Sequence, residues 1–369
     1  MKILIITASL KPTSGIGRYS REVVDGLIRN GIDVSVAAYS ASEVSYPVII
    51  FEQSRSILSF IGNILKLRRL ARGVDIVHSL DVWPYGVYGY LAVLGTKKRF
   101  FVNGVGTYSL MSHVSRFKKV LMRGVYRRAE RVFCVSHYMR DLIAVDVAHS
   151  HFTIAYLGFT PLPDISLPVR TEFELTYGLK KHFPVILTVG GIKSRKGQFD
   201  VLQSLVPLKQ KYPTILYCMV SVDTGAEYLA EMEAFAESNN LTHNMRIISD
   251  AHTDEALTYL YSTCDVYALT SIAEAGHVEG FGLSLVEANQ FGKPTIGTRR
   301  SGTQEAVQNG YSGYLVDPKS PAHIAEKIEH ILTEGPETFI VHAKEFASRF
   351  TWEKTVQIYI AAYTRLSDY

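Results

Sequence analysis

Short apolar runs alternate with amphipathic stretches along most of this chain, a pattern typical of a doubly wound parallel α/β architecture. In the first half, the apolar runs predict six strands, at Ile3–Thr7, Val34–Ala38, Asp75–Val77, Phe100–Asn103, Arg131–Val135 and Thr153–Tyr156. Helical spacing of apolar residues falls between them, for example at Gly17–Arg29 and Phe117–Arg128. The first half therefore predicts one parallel sheet with helices on both faces.

The pattern breaks at Gly158–Arg170, where three prolines predict a linker. A second α/β unit begins with a strand at Pro184–Val189 and continues to about Arg349, and a helix at Thr351–Leu366 closes the chain. Because 369 residues exceed what one ordinary core supports, we expect two domains, 1–160 and 171–350, with a closing segment 351–369.

Charge is distributed unevenly between the two halves. Residues 1–161 hold 21 Lys and Arg against 10 Asp and Glu, whereas the remainder holds 18 against 25. Two basic apolar stretches, Ile57–Arg72 and Arg116–Arg131, contribute to this excess. They fit an anionic membrane surface, or equally an ordinary helix that packs on its own sheet with a basic outer face. We expect no nucleic-acid partner.

The three cysteines, Cys134, Cys218 and Cys264, are far apart in apolar settings, which predicts buried free thiols in a reducing compartment. The opening MKILIITASL lacks a small-residue cleavage site, so it predicts a first strand and not a signal peptide. No window approaches 18 uninterrupted apolar residues. These features predict a cytoplasmic protein, either free or peripheral on the inner face of the membrane.

The segment EGFGLSLVE, Glu279–Glu287, carries the strongest candidate chemistry. Phe281–Gln290 has helical apolar spacing, and glycines leave the first turn of this helix open. Unpaired amides at a helix N-terminus suit a diphosphate. Glu279 and Glu287 could then accept hydrogen bonds from hydroxyls of a sugar and a ribose, respectively. The alternative is a helix start with a charged cap and a solvated Glu287.

Two glycine-rich turns after predicted strands are further candidates. In VGGIKSRKG, Val189–Gly197, Lys196 stands at a helix entry, where an ammonium can neutralise charge on a departing diphosphate. In SGIGR, Ser14–Arg18, Ser20 occupies the position of the third glycine of Gly-x-Gly-x-x-Gly, which argues against a dinucleotide-binding dehydrogenase. Either turn could also be a tight connection without a ligand.

These segments together resemble glycosyltransferase family 4, retaining sugar transferases of the GT-B fold. Besides the Glu279 and Glu287 pair, the matching features are Gly292-Lys293-Pro294, the Gly302 to Glu305 turn, Asn309-Gly310 and Gly313-Tyr314-Leu315-Val316. The resemblance implies two Rossmann-like doubly wound domains facing a central cleft, with an acceptor-binding domain at 1–160 and a nucleotide-sugar-binding domain at 171–350. It also implies that the closing helix crosses back to the first domain.

The resemblance implies catalytic roles for Lys196 and Glu279. The residues that it implies in donor binding are Gly15, Gly17, Gly191, Arg195, Lys196, Glu279, Gly280, Phe281, Gly282, Leu283 and Glu287. Two departures stand out, because relatives usually carry an Arg where Gly191 stands and many carry a His where Asn103 or Val105 stands. Arg195 or Lys193 could supply the missing charge.

The resemblance further implies retention of configuration through a front-side displacement, with no metal or other cofactor, and the chain contains no Asp-x-Asp motif. We expect a nucleotide-sugar donor, UDP-glucose slightly before GDP-mannose or UDP-N-acetylglucosamine, and a glycan or lipid-linked acceptor in bacterial polysaccharide synthesis. A sugar-nucleotide epimerase on the same fold and a non-catalytic sugar-nucleotide binding protein remain as alternatives.

Overall fold

A computed structural model of the chain describes residues 1–12, 14–52, 56–112, 114–147, 151–221, 223–251 and 253–365. The chain divides into two compact units, one formed by Met1–Gly158 together with Thr351 onward and the other by Phe159–Phe350. Each unit is built on one wholly parallel sheet. The α/β expectation is therefore confirmed in both halves.

The first unit has a seven-stranded sheet in the order β3-β2-β1-β4-β5-β6-β7. Its strands are β1 Lys2–Ser9, β2 Asp33–Ser40, β3 Val48–Ile50, β4 Ile76–Ser79, β5 Arg99–Gly104, β6 Arg131–Cys134 and β7 Phe152–Ile154. Its helices before the second unit are α1 Gly15–Arg29, α2 Ile57–Ala71, α3 Val87–Val93, α4 Arg116–Arg128 and α5 His137–Ala144. The apolar pattern did not predict β3, because three residues at the sheet edge are too short to show a period.

The second unit has a six-stranded sheet in the order β10-β9-β8-β11-β12-β13. Its strands are β8 Val185–Val189, β9 Leu216–Val220, β10 Met245–Ile248, β11 Val266–Leu269, β12 Thr295–Thr298 and β13 Gly313–Val316. Its helices are α6 Leu167–Tyr177, α7 Gln198–Lys211, α8 Ala226–Ser238, α9 Asp254–Thr263, α10 Leu283–Gln290, α11 Pro321–Glu334 and α12 Ile340–Ala347. The strand order reverses at β1/β4 in the first unit and at β8/β11 in the second, where doubly wound folds bind ligands.

The predicted linker is wrong at its C-terminal end, because α6 begins at Leu167 and not after Arg170. Pro168 lies in the first turn of this helix, where a missing backbone N–H breaks no helical hydrogen bond. A proline there starts a helix and does not interrupt one. The boundary between the two compact units lies at Gly158 and Phe159, near the beginning of the predicted linker.

The last helix, α13 Trp352–Thr364, packs on α1 within the first unit. A side-chain Cβ at Gly26 of α1 would lie 2.6 Å from Val356, so the glycine permits this close approach. Buried His78 joins the helix to the sheet, since its Nδ1 contacts the Tyr363 hydroxyl at 2.5 Å and its Nε2 contacts Asn103 Oδ1 at 2.6 Å. Burial lowers the pKa of His78 to about 4, so this histidine is neutral.

The three cysteines are buried free thiols, as the sequence predicted. The two basic apolar stretches form α2 and α4, each of which buries one face and leaves apolar side chains exposed on the other, including Ile57, Leu58 and Phe117. No helix among the described residues has the length and apolar character needed to cross a bilayer.

Candidate active site

The loop after β8 is held in place by backbone contacts with β9 and with the segment that follows β11. The Gly190 amide donates to Val220 O at 2.9 Å, and the Ile272 amide donates to Arg195 O at 2.8 Å. Gly197 has a φ of 74°, and a Cβ there would lie 2.2 Å from the Thr270 carbonyl oxygen. Only glycine fits this position, which fixes the short 3₁₀ turn Ser194–Lys196 against the end of β11.

Two cations on this turn meet one carboxylate. Lys196 Nζ donates to Glu279 Oε2 at 2.5 Å, and Arg195 Nη1 lies 3.4 Å from the same oxygen. The side chains of Lys196, Glu279 and Arg195 are 15%, 17% and 26% exposed. The structure therefore brings together three residues that the sequence singled out, across 83 positions of chain between Lys196 and Glu279.

The charge of Glu279 is fixed by these two neighbours. Burial by itself raises the pKa of a carboxyl group, but the attraction of Lys196 and then of Arg195, with their hydrogen bonds, outweighs burial and holds the pKa of Glu279 below its ordinary value. Glu279 is consequently an anion near neutral pH, and it can accept hydrogen bonds from hydroxyl groups while it orients both cations.

The segment before α10 departs from the predicted helix. Helix α10 begins at Leu283, two residues later than the predicted Phe281, because Gly282 adopts a left-handed φ of 87°. Glu279, Gly280 and Phe281 therefore precede the helix, and the Phe281 ring is buried against Phe350 at a centroid distance of 5.3 Å. This position of the ring assigns the Phe281 side chain to packing.

Gly302, in the turn after β12, fixes the backbone at Glu279 and Gly280. The Gly302 amide donates to Glu279 O at 3.1 Å. A Cβ at Gly302 would lie 2.3 Å from the carbonyl carbon of Gly280. The Gly302 to Glu305 turn in the sequence motif thus has a structural purpose, since it fixes the backbone that carries Glu279.

Glu287 lies one turn inside α10. Its side chain contacts an aromatic cluster that the sequence motifs do not indicate. The Tyr261 hydroxyl donates to Glu287 Oε2 at 2.8 Å. The Tyr261 ring lies 5.7 Å from that of Tyr267, whose hydroxyl accepts from the Val189 amide at 3.1 Å. In the sequence TYLYSTCDVYAL these tyrosines follow an apolar pattern, which a buried core explains as well as a binding site does.

Gly191 and Lys193 lie on the other side of the same loop. Lys193 Nζ pairs with Asp223 Oδ2 at 2.5 Å, and both side chains are largely exposed. A Cβ at Gly191 would lie 3.1 Å from Asp223 O. Of the two cations considered as replacements for the family Arg, the structure places Arg195, and not Lys193, beside Lys196 and Glu279.

The remaining candidates, Gly15 and Gly17, begin α1 in the first unit. The Gly17 amide donates to the capping hydroxyl of Ser14 at 3.1 Å, and a Cβ at Gly17 would lie 2.0 Å from Lys11 O. Packing of the turn therefore explains Gly17 without a ligand. A Cβ at Gly15 would meet nothing within 4 Å, so the local packing does not require glycine there.

Two protein-family models match the chain. The model described as "Glycosyltransferase Family 4" matches residues 13–160, and the model described as "Glycosyl transferases group 1" matches residues 169–346. The two matches adjoin at the boundary between the compact units and together span most of the chain.

Several curated proteins are similar in sequence. A D-inositol 3-phosphate glycosyltransferase from Corynebacterium urealyticum is 30% identical over 195 residues, which are 51% of this chain and 45% of that protein. An uncharacterized glycosyltransferase from Methanocaldococcus jannaschii is 25% identical over 81% of this chain and 77% of that protein. The match therefore spans about half the length of the first relative.

Solved structures show the same fold. A glycosyltransferase from Rickettsia africae matches with a TM-score of 0.82 and 18% identity over 98% of this chain and 97% of that one. Anabaena HepE in complex with UDP and glucose matches with a TM-score of 0.79 and 21% identity over 99% and 100% of the two chains.

Proposed function

We propose that this chain, which belongs to the family 4 glycosyltransferases of the GT-B fold, transfers a hexose from a nucleoside-diphosphate donor to a hydroxyl of a glycan or glycolipid. The transfer proceeds with retention of configuration and without a metal ion. The observation that carries the proposal is the convergence of Lys196 and Arg195 on Glu279, within 2.5 and 3.4 Å of one oxygen. A glycosyl phosphate needs cations on the phosphate side and an acceptor of hydroxyl hydrogen bonds on the sugar side, and this cluster supplies both.

In this proposal, the donor lies along α10. Glu279 accepts from hydroxyls of the hexose, the backbone of Gly280–Leu283 faces the diphosphate, and Glu287 accepts from the ribose hydroxyls. The N-cap residue of α10 is Gly282, which has no side chain to cap the helix, so the partial positive charge of the helix N-terminus is available to an anion. Tyr261 orients Glu287 by its hydrogen bond and is a positioning residue.

The chemical step breaks the bond between the anomeric carbon and the diphosphate oxygen and forms a bond from that carbon to the acceptor oxygen on the same face. The acceptor proton passes to the departing diphosphate oxygen, so the products are a nucleoside diphosphate and a glycoside. Negative charge grows on the diphosphate as the first bond breaks, and Lys196 with Arg195 stabilises it. Two fixed cations at this point perform the charge neutralisation that a divalent ion performs in other transferases.

Arg195 takes the part of the Arg that relatives carry at the position of Gly191. It reaches the cluster from the residue beside Lys196 and not from the start of the loop, so the two cations approach from the same 3₁₀ turn. Its guanidinium lies farther from Glu279 Oε2 than the Lys196 ammonium does, which leaves its remaining donors for the diphosphate.

UDP-glucose is the donor that we propose first, and HepE, a structural neighbour described in complex with UDP-glucose, supports that choice. The curated relatives include D-inositol 3-phosphate glycosyltransferases and an Escherichia coli serotype-specific mannosyltransferase, so the test must include other donors. We propose the cytoplasmic synthesis of a polysaccharide or glycolipid as the setting, with the basic N-terminal unit near anionic lipid.

A ligand panel and a transfer assay test the proposal. We expect UDP-glucose, among UDP, GDP and ADP sugars, to raise the melting temperature of the full chain, since a ligand at 100 times its Kd adds about 2.7 kcal/mol to stability. With an acceptor present, the protein should release UDP, yield an α-glycoside detectable by NMR, and keep its activity in EDTA.

The alternatives give different results. An epimerase would convert the sugar and release nucleotide without an acceptor, and a binding protein would be stabilised by the donor without releasing UDP. Failure of every nucleotide sugar to stabilise the chain would contradict the proposed function itself.

A further inference from the structure

The first unit contains a large aromatic pocket that the donor chemistry does not use. The cavity has a volume of about 1000 Å³ and lies at the carboxyl ends of β1 and β4, where the strand order reverses. Seven of its nineteen lining residues are aromatic, namely Tyr39, Phe60, Trp83, Tyr85, Tyr88, Tyr108 and Phe117. This volume is at the upper end of the range of small-molecule sites.

The pocket contains one buried carboxyl group, Asp81, which is 8% exposed. Its Oδ1 accepts from the Val82 amide at 2.7 Å and from the Ser109 hydroxyl at 2.8 Å, and Ser109 Oγ in turn accepts from the Val105 amide at 3.0 Å. Among the described residues, none donates a hydrogen bond to Oδ2. One oxygen is therefore fixed by the protein, while the second can accept from a ligand in the cavity.

The mouth of the pocket is apolar. Ile57 on α2, Phe117 on α4 and Tyr108 between them all line the cavity and are 78%, 70% and 64% exposed, respectively. Exposed apolar side chains of this size, grouped around an opening, indicate contact with an apolar part of a ligand. Lys118 also lines the cavity, but its ammonium lies 4.7 Å from the Trp83 ring centroid and is thus held over an aromatic face.

We propose that this cavity, the Asp81 pocket, binds the acceptor of the reaction, and that the acceptor is an uncharged glycolipid whose sugar hydroxyl meets Asp81 while its alkyl chain leaves between Ile57 and Phe117. The proposal rests on the proposed glycosyltransferase function and adds to it the class of acceptor. Sugar rings pack on aromatic faces and donate hydroxyl hydrogen bonds to carboxylates, which are the two features of the inner wall. An alkyl chain matches the apolar mouth.

The same residues disfavour an anionic head group. An anion deep in the cavity would lie against Asp81, and of the described lining residues only Lys118 carries a positive charge. Burial raises the pKa of Asp81 to about 7, against the opposing effect of its hydrogen bonds from Val82 and Ser109, and a bound anion would make this carboxyl still harder to ionise. The inositol phosphate acceptors named for the sequence relatives are therefore poor candidates for this chain.

The test measures binding of n-octyl β-D-glucoside, below its micelle concentration, to the full chain by titration calorimetry. Tryptophan fluorescence gives a second readout, because Trp83 lines the cavity whereas Trp352 is buried outside it. Glucose lacks the chain and octyl sulfate replaces the sugar by an anion. We expect octyl glucoside to bind at least about 10-fold more tightly than either.

Two variants locate the site. Asp81→Asn keeps an oxygen for Val82 and Ser109 but replaces the acceptor Oδ2 by a donor, so binding should weaken about 10-fold or more. Phe117→Ser, at an exposed position that cannot disturb the core, should weaken binding about five-fold. Val341→Ser in the second unit is the matched control, since Val341 is 71% exposed, and it should leave binding unchanged.

Equal affinity of wild type and Phe117→Ser, or of octyl glucoside and octyl sulfate, would overturn the proposal, even if Asp81→Asn proved too unstable to measure. The melting temperature with UDP-glucose is recorded in parallel. Binding of octyl glucoside without a response to any nucleotide sugar would refute the proposed function and with it the role as acceptor site, and would leave only a glycolipid-binding pocket. The reverse result would refute the pocket alone.

Discussion

Replacement of Lys196 by alanine tests the chemical step most directly. Lys196 Nζ lies 2.5 Å from Glu279 Oε2 and its side chain is only 15% exposed, so the cation acts in a site from which most water is excluded. Loss of one preorganised electrostatic contact of this kind costs about 2.7–4 kcal/mol, a fall of roughly 10²–10³ in kcat. Lys196→Arg should restore only part of this loss, because a planar guanidinium cannot occupy the same point.

The ion pair adds a cost that the sequence did not predict for a loop lysine. Removal of one partner of a buried pair destabilises a protein by about 3–5 kcal/mol, because the other charge is left buried. Here Arg195 remains 3.4 Å from the same oxygen, so we expect a smaller loss. Combining Glu279→Gln with Lys196→Ala should then recover stability, because it removes the uncompensated charge of Glu279. It should not recover turnover.

We measure steady-state kcat at saturating donor and the stability to urea of four proteins. They are the wild type, Lys196→Ala, Lys196→Arg and the double variant Lys196→Ala/Glu279→Gln. Lys193→Ala is the matched control, a lysine on the same loop that pairs with exposed Asp223, and its kcat should stay near that of wild type. Gly191→Arg should rescue Lys196→Ala poorly, because Asp223 lies beside position 191 and would pair with the new guanidinium.

Retention of more than half of the wild-type turnover at saturating donor by Lys196→Ala would contradict this role of Lys196. The cation that stabilises the diphosphate would then be Arg195 alone, and Arg195→Ala should show the loss expected here for Lys196. The assignment would also be contradicted if the double variant Lys196→Ala/Glu279→Gln recovered both stability and kcat. That result would mean that misfolding caused the loss of kcat in Lys196→Ala.

Further results are expected for substitutions at four residues. Glu287→Ala should raise the donor KM with little change in kcat, and Glu279→Ala should chiefly lower kcat; an unchanged donor KM in Glu287→Ala would disprove the ribose contact. Tyr261→Phe removes the 2.8 Å hydrogen bond to Glu287 and should raise the donor KM about five-fold without changing kcat; an equal fall in kcat would indicate a general packing defect. Burial raises the pKa of Asp81 to about 7, above its unfolded value near 4, so ionisation should cost the folded wild type up to about 4 kcal/mol as pH rises from 4 to 7. In Asp81→Asn, the free energy of unfolding in urea should not fall in this way between pH 4 and pH 8. If this free energy changed with pH equally in the wild type and the variant, the raised pKa of Asp81 would be contradicted.

The regular part of the fold was predictable because buried parallel strands are nearly continuous apolar runs. All six strands predicted in the first half exist, with ends that differ by at most two residues. Errors occurred where a local signal has two meanings. Pro168 predicts a linker but lies in the first turn of α6. The apolar spacing from Phe281 predicts Gly282 inside a helix, whereas Gly282 precedes α10. In both cases the backbone geometry, and not the residue type, decides.

The candidate site was predictable as residues and not as contacts. Lys196 and Glu279 belong to separate sequence motifs, and only the strand order β8-β11 brings their loops together. Tyr261 and Asp81 were missed because a tyrosine in an apolar helix and an aspartate after a strand have common structural explanations. What distinguishes them is a single hydrogen bond to Glu287 in one case and an unengaged oxygen in a cavity in the other, and a sequence pattern shows neither.

This chain has Gly191 where relatives carry an Arg, so the position of the other cations in the loop decides which of them lies beside Glu279. The loop contains three cations, and exposure alone would favour Lys193 as the replacement. Asp223 decides otherwise, because its carboxylate pairs with Lys193 at 2.5 Å, whereas Gly197 and the Ile272 amide fix the Ser194–Lys196 turn so that Arg195 faces Glu279. A chain that lacks the Arg at this position can therefore keep two cations on the same carboxylate, provided that the turn is rigid. The rigidity rests on Gly197, where any Cβ would collide with Thr270.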